Sequence, residues 1–130
     1  MKKYPDYIVP LNIAKELKII GFKSKVYFYY INDKEYRGLY TARKPEDFNK
    51  NTTISIPVWE QVFLWFRNKG YDVNISYVFH PKLKCCVGYM YEIIYNYEWI
   101  KSDNYFNSYE AARKICLEEL IKTYKNEQFN

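Results

Sequence analysis

The feature that most constrains this fold is an apolar, aromatic-rich stretch at residues 56–70. Pro57 suits the first turn of a helix, where a missing N–H costs nothing, and Gly70 suits the left-handed residue just past a helix end. A helix as apolar as this one must pack against a sheet or other helices. We therefore predict a central core helix. Its apolar residues recur at helical spacing and cover more than half of its circumference: Val58, Trp59, Val62, Phe63, Trp65 and Phe66.

Two more helices are predicted near the chain ends. The first begins at Pro10 and ends at Gly21, and Phe22 is placed to fold back on its last turn, as in a Schellman motif. The last helix opens with Ser108 as its N-cap. Its predicted buried stripe includes Ala112, Cys116, Leu120 and Ile121.

The segments between the helices have the patterns of strands, as expected for a chain with 21% aromatic residues. Residues 25–31 and 35–41 predict a β-hairpin around turn-forming residues 32–34. Residues 42–53 predict a polar, flexible loop. Two strands follow at 73–79 and 86–95, and a third is predicted at 99–105.

These elements predict one α+β domain over residues 1–130, in the order α-β-β-α-β-β-(β)-α. Strands joined by short turns and separated by helices imply an antiparallel sheet of four or five strands, with the helices packed on one face. We find no internal repeat and no domain linker in the sequence.

Composition predicts an intracellular protein. No run approaches the roughly 18 apolar residues of a membrane span. Residues 1–6 have the charges of a signal peptide but no apolar stretch behind them, so we expect a cytoplasmic location and no membrane association. Cys85, Cys86 and Cys116 are odd in number and lack a paired spacing, which favours free thiols.

Residues that could perform catalysis are sparse. His80, the only histidine, precedes Pro81 and fits a surface turn better than a general base. His80, Cys85 and Cys86 would need a fourth ligand to form a zinc site. Glu46 and Asp47 are adjacent acids in the predicted loop, where solvated carboxylates are the ordinary case. We therefore expect no enzymatic activity, no cofactor and no metal.

Binding is the function that the charge pattern favours. Residues 1–50 hold 11 lysines and arginines against 6 acidic residues, whereas residues 51–130 hold 9 of each. Tyrosines alternate with basic residues around the first hairpin, and such surfaces bind bases by stacking and phosphates by charge. A Tyr-rich sheet with ordinary surface lysines, or a protein-binding surface, would have the same composition. The candidate binding residues are Lys25, Tyr27, Tyr29, Tyr36, Arg37, Tyr40, Arg43 and Lys44.

Three blocks of the sequence are distinctive in order and spacing: VPLNIAKELK at 9–18 with Gly21-Phe22, IPVWEQV at 56–62 with Trp65-Phe66-Arg67, and SYEAAR at 108–113 with Leu120-Ile121. Together they resemble one family of small proteins encoded by phages and prophages of gut Bacteroides-type bacteria. Two departures from that family are Asn68 and Ala111, where glutamate is common. The resemblance implies a phage origin and an intracellular setting, and it supplies no catalytic residue.

The first functional hypothesis is therefore a non-enzymatic phage accessory protein in the host cytoplasm. It would act by binding a host protein or another intracellular factor, in host interaction or counter-defence, or by self-association. The alternative is a nucleic-acid or nucleotide binder that uses the basic, Tyr-rich first hairpin.

Overall fold

The computed structural model describes residues 4–129, and this part of the chain has the predicted α+β character. It groups into two compact units, Met1–Trp65 and Phe66–Asn130, and each contains a three-stranded antiparallel sheet. None of the described helices is long and apolar enough to cross a membrane. The elements are α1 (Leu11–Ile19), β1 (Val26–Ile31), β2 (Gly38–Glu46), β3 (Thr53–Ile56), α2 (Trp59–Asn68), β4 (Asp72–His80), β5 (Cys85–Tyr95), β6 (Glu98–Lys101) and α3 (Tyr109–Phe129).

The prediction of one sheet with four or five strands is wrong, because the six strands form two separate sheets. The predicted order lacks β3: of its residues, Thr53 falls in the predicted loop at 42–53 and Ile56 in the apolar stretch at 56–70, while Ile54 and Ser55 belong to no predicted element. The sequence does contain two signals for β3. Three of its four residues, Thr53, Ile54 and Ile56, are β-branched. Pro57 also disfavours a helical conformation in Ile56, the residue before it. The predicted loop also overlaps β2, which extends to Glu46.

The sheet of the first unit has the order β2-β1-β3, so β1 is the central strand. The β1–β2 register pairs Tyr29 with Tyr40 and Phe28 with Thr41, and it then jumps to Val26 with Glu46. Residues 42–45 therefore lie opposite the single residue Tyr27. We call these four residues the β2 arch. It is an enlarged bulge on an edge strand, a position where bulges are common and redirect side chains.

Helix α1 ends as predicted. The Gly21 N–H donates to Lys18 O at 3.2 Å and the Phe22 N–H to Leu17 O at 3.0 Å, which are the two hydrogen bonds of a Schellman motif. Phe22 is fully buried. Helix α1 contacts β3, and this unit's core includes Ile13, Ala14, Leu17, Val26, Ile54 and Ile56.

Helix α2 carries the predicted apolar face. The side chains of Trp59, Val62, Phe63 and Phe66 are buried, which confirms their prediction as interior residues, whereas Val58 and Trp65 of the same predicted face are only half-buried. The helix begins at Trp59 instead of Pro57. The Val58 N–H donates to Oε1 of the Gln61 side chain at 3.0 Å, which is half of a capping box.

The sheet of the second unit is a simple meander, β4-β5-β6. Strand β6 confirms that a third strand follows β5, although it is shorter than the predicted 99–105. Asn96 and Tyr97 both have positive φ, at 52° and 65°, as a tight hairpin turn requires, so the chain reverses there without glycine.

Helix α3 contacts β4 and β5. The predicted N-cap is confirmed, since the Ala111 N–H donates to the Ser108 Oγ at 3.1 Å. The predicted stripe is buried as well, together with Leu117, and the neighbouring strand β5 contributes the buried side chains of Tyr91 and Ile93.

We expect Gly21→Ala to lower the free energy of unfolding by about 1 kcal/mol, measured by chemical denaturation. Gly21 has a φ of 93°, and a Cβ added there would meet no atom within 4 Å, so the loss should come from backbone strain alone. Gly21→Asn should lose less, because asparagine tolerates the left-handed region. Equal losses for the two variants would contradict this account.

Candidate functional site

A cavity of about 480 Å³ opens beside the β2 arch. All of its lining residues belong to the first unit and lie within residues 29–48. We call it the arch cavity. It is lined by Tyr29, Thr41, Ala42, Arg43, Lys44, Glu46 and Phe48.

The arch creates this cavity because it moves the edge of β2 away from β1. Regular pairing would place each of residues 42–45 against its own partner on β1, but all four lie opposite Tyr27. The edge strand tolerates this, since no further strand pairs with β2 among the described residues. Pro45 also fits here, because proline within a sheet is confined to edges and bulges.

An aromatic stack forms one wall of the cavity. The rings of Tyr29 and Phe48 are stacked at 4.3 Å between centroids, with 21° between their planes. Tyr40 lies directly across from Tyr29 in the register, and their rings stack at 5.6 Å and 19°. Tyr29 is therefore the middle ring of three. Offset stacking of this kind fixes ring orientation.

Hydrogen bonds to β3 hold Phe48 in position. Its N–H donates to the Oγ of the fully buried Ser55 at 2.8 Å, and the Thr53 hydroxyl donates to its carbonyl at 2.5 Å. Asn49 adds two contacts: its Oδ1 accepts from the Ser55 N–H at 2.8 Å, and its Nδ2 donates to Phe22 O at 2.7 Å. These four bonds place Phe48 against Tyr29.

The charged groups of the cavity are exposed and available to a ligand. Arg43, Lys44 and Glu46 are all solvent-exposed. Across the part of the chain that the structure describes, no hydrogen bond or ion pair uses any of these three side chains. The arch cavity therefore combines two cations, one carboxylate and an aromatic wall.

The structure brings together some of the predicted binding residues. Tyr29, Arg43 and Lys44 line the cavity, and Tyr40 stacks behind Tyr29. Lys25 and Tyr27 are exposed near the start of β1 and are not lining residues.

Tyr36 and Arg37 lie in the β1–β2 connection, beyond the Ile31–Gly38 pair. At about 3.3 Å per residue, Gly38 is roughly 13 Å along β2 from the first residue of the arch. The Tyr40 hydroxyl donates to the Tyr36 carbonyl at 2.7 Å, which ties this connection back to the strand.

Sequence reasoning missed four lining residues: Thr41, Ala42, Glu46 and Phe48. For Thr41, Ala42 and Glu46 the sequence signal is Pro45, because a proline inside a strand pattern indicates an edge or a bulge. Phe48 had no comparable signal, since its position depends on hydrogen bonds to β3.

The second unit places His80 and Cys85 opposite each other on β4 and β5. The Leu83 N–H donates to His80 Nδ1 at 3.2 Å, so this ring nitrogen accepts a hydrogen bond within the β4–β5 turn. Cys116 is fully buried; burial, with a smaller contribution from Glu119, raises the pKa of its thiol to about 12, so it carries no thiolate at neutral pH. No group of three or more metal-ligating side chains occurs among the described residues.

Comparison with protein-family models, with curated proteins and with solved structures finds no match for this chain. The resemblance to a phage-encoded family thus stays a prediction from the sequence. Function must be argued from the geometry of the chain itself.

We expect Ser55→Ala to lower the free energy of unfolding by about 1–3 kcal/mol, because it removes the acceptor of the Phe48 N–H. Urea denaturation followed by tyrosine and tryptophan fluorescence measures the loss. Ser24→Ala is the matched control, since Ser24 is only partly buried and contributes no hydrogen bond among the described residues. Equal stability of the two variants would show that this contact does not hold the segment.

Proposed function

We propose that this protein binds a ligand with a planar ring and a phosphate, a nucleotide or single-stranded nucleic acid, in the arch cavity. The observation that carries the proposal is the presence of Arg43 and Lys44 in the same cavity as the stacked rings of Tyr29 and Phe48. Each ligand part has its complement: a base stacks on an aromatic ring, and a phosphate pairs with the cations.

The volume of the cavity and the energy of base stacking suit this class of ligand. A volume of about 480 Å³ lies within the usual range of small-ligand sites, roughly 300–1,000 Å³. Stacking of a base on an aromatic side chain contributes about 1–3 kcal/mol. Arginine adds a planar fork that binds phosphate through two hydrogen bonds. One base and one phosphate would use both kinds of group that line the cavity.

The wider charge of the first unit would assist capture. Lys23, Lys25, Lys34 and Arg37 are exposed on the same unit as the cavity. Exposed cations raise the local concentration of anionic ligands and speed their association, and salt screens this effect. A single strand could extend from the cavity across these residues, whereas a free nucleotide would use the cavity alone.

Replacing Arg43 and Lys44 together by alanine should weaken binding of a mixed-sequence single-stranded oligonucleotide by at least tenfold, measured by fluorescence anisotropy. A plot of the logarithm of the binding constant against the logarithm of salt concentration has a negative slope, and each lost phosphate contact should make it shallower by about 0.7. The matched control is Lys114→Ala with Lys122→Ala, which removes the same charge from two exposed positions on α3, outside the first unit. Calorimetry with mononucleotides tests the free-nucleotide form.

Two results would count against the proposal. Equal losses in both double variants would mean that general charge, not the cavity, attracts the ligand. Absence of binding at low salt for both oligonucleotides and mononucleotides would remove the nucleotide function altogether.

A second candidate is the phage accessory protein that binds a host protein without catalysing a reaction. The observation that favours it is the end of the β4–β5 hairpin, where large apolar side chains are exposed. Tyr77 is 65% exposed, Phe79 is 52% and Leu83 is 66%. We call these three residues the hairpin tip. Tyr77 and Phe79 are two residues apart on β4 and therefore share one face of the strand. Exposed apolar surface marks protein-binding sites, and tyrosine often contributes a large share of binding energy there.

The tip variant Tyr77→Ser with Phe79→Ser should lose a host protein that the wild type captures specifically from a Bacteroides-type lysate, read by quantitative mass spectrometry. The arch variant Arg43→Ala with Lys44→Ala should retain that protein. Trp99→Ser is the control, because Trp99 is 60% exposed but lies on β6. Unchanged capture by the tip variant would exclude the tip as the contact surface.

A further inference from the structure

Glu46 is the one acidic side chain that lines the arch cavity. No ion pair among residues 4–129 joins it to Arg43 or Lys44, although all three line the same space. The positive and negative groups are therefore separated within the site. A site that bound only phosphate would be weakened by this carboxylate, because like charges repel.

A nucleobase gives the carboxylate a partner. The Watson–Crick edge of guanine carries two adjacent donors, N1–H and N2–H, and a carboxylate carries two acceptor oxygens. Adenine and cytosine each present a donor beside an acceptor. Uracil presents one donor between two acceptors. Guanine is thus the only standard base that can satisfy both oxygens of a carboxylate at once.

The arch brings these groups into the lining of one cavity. Glu46 pairs with Val26 where regular register resumes, whereas Arg43 lies three residues earlier, inside the arch. Three residues of chain span at most about 10 Å, which is comparable with the length of one nucleotide. Phe48, an outer ring of the stack, supplies the ring surface beside them.

We propose that Glu46 makes the arch cavity selective for guanine, either in a free nucleotide or as an unpaired base in a single strand. The inference rests on the proposed function and deepens it. Arg43 and Lys44 hold the phosphate, the aromatic wall stacks the base, and Glu46 accepts the two guanine protons.

Calorimetric titration with GMP, IMP and AMP tests the inference. The wild type should bind GMP on the order of tenfold more tightly than AMP, since one bidentate contact of this kind discriminates between bases. IMP, which lacks the N2 amino group, should fall between them. A second arm compares single-stranded oligonucleotides with one G or one A in a uridine background, which separates the free nucleotide from the nucleic acid.

Glu46→Gln is the informative variant, because it replaces one acceptor with a donor at constant shape. It should lose the preference for GMP and gain one for AMP, since a glutamine amide matches the donor and acceptor of adenine. The Glu46 side chain is exposed, so the unfolding midpoint of the variant should match that of the wild type. Glu35→Gln, in the β1–β2 connection, is the control with the same charge change and should keep the GMP preference.

The outcomes separate this inference from the proposed function. A wild type that binds all three nucleotides equally, or a Glu46→Gln variant with an unchanged GMP preference, overturns the guanine assignment and leaves nucleotide binding intact. A wild type that binds none of the nucleotides or oligonucleotides overturns both.

Discussion

The hydrogen bond between the Phe48 N–H and the Ser55 hydroxyl holds residues 47–49 of the first unit against β3. Ser55 is completely buried, so its hydroxyl depends on partners within the protein. That dependence draws residues 47–49 over the sheet, and Asn49 completes the attachment through Ser55 and Phe22. Phe48 then stacks on Tyr29 and closes one wall of the cavity. A polar atom in the interior thus decides where an aromatic ring lies at the surface.

The helices could be predicted from the sequence because their signals are local. Pro10 and Gly21 mark the limits of α1, Ser108 caps α3, and the apolar period of α2 correctly identified Trp59, Phe63 and Phe66 as buried. These patterns act within one or two turns of chain. They do not depend on which strand pairs with which.

Strand pairing could not be predicted in the same way. The division into two sheets depends on contacts between distant residues, such as Phe28 with Ile56. Strand β3 has only four residues, too few for a clear alternation. The turn at Asn96 and Tyr97 has positive φ without glycine, so its signal was weak. Local preference is a poor guide where burial and partner choice decide the conformation.

The candidate site likewise contains residues that local sequence predicts and residues that only the fold brings into place. The alternation of aromatic and basic residues predicts Tyr29, Tyr40, Arg43 and Lys44, and the structure places these four residues at or next to the arch cavity. The same alternation also predicts Tyr36 and Arg37, which share the composition but lie at the other end of the hairpin. Phe48 requires knowledge of the fold, since only the return of the chain to β3 brings its ring to Tyr29.

The β2 arch has a consequence for how such a protein can diversify. The ladder is regular at residues 38–41 and resumes at Glu46, so the four residues between them are released from cross-strand pairing. Substitutions or small changes of length there would alter the chemistry presented to a ligand while both flanking registers persist. Two relatives with the same scaffold could therefore recognise different molecules, and the arch is the natural segment to randomise when a new specificity is sought.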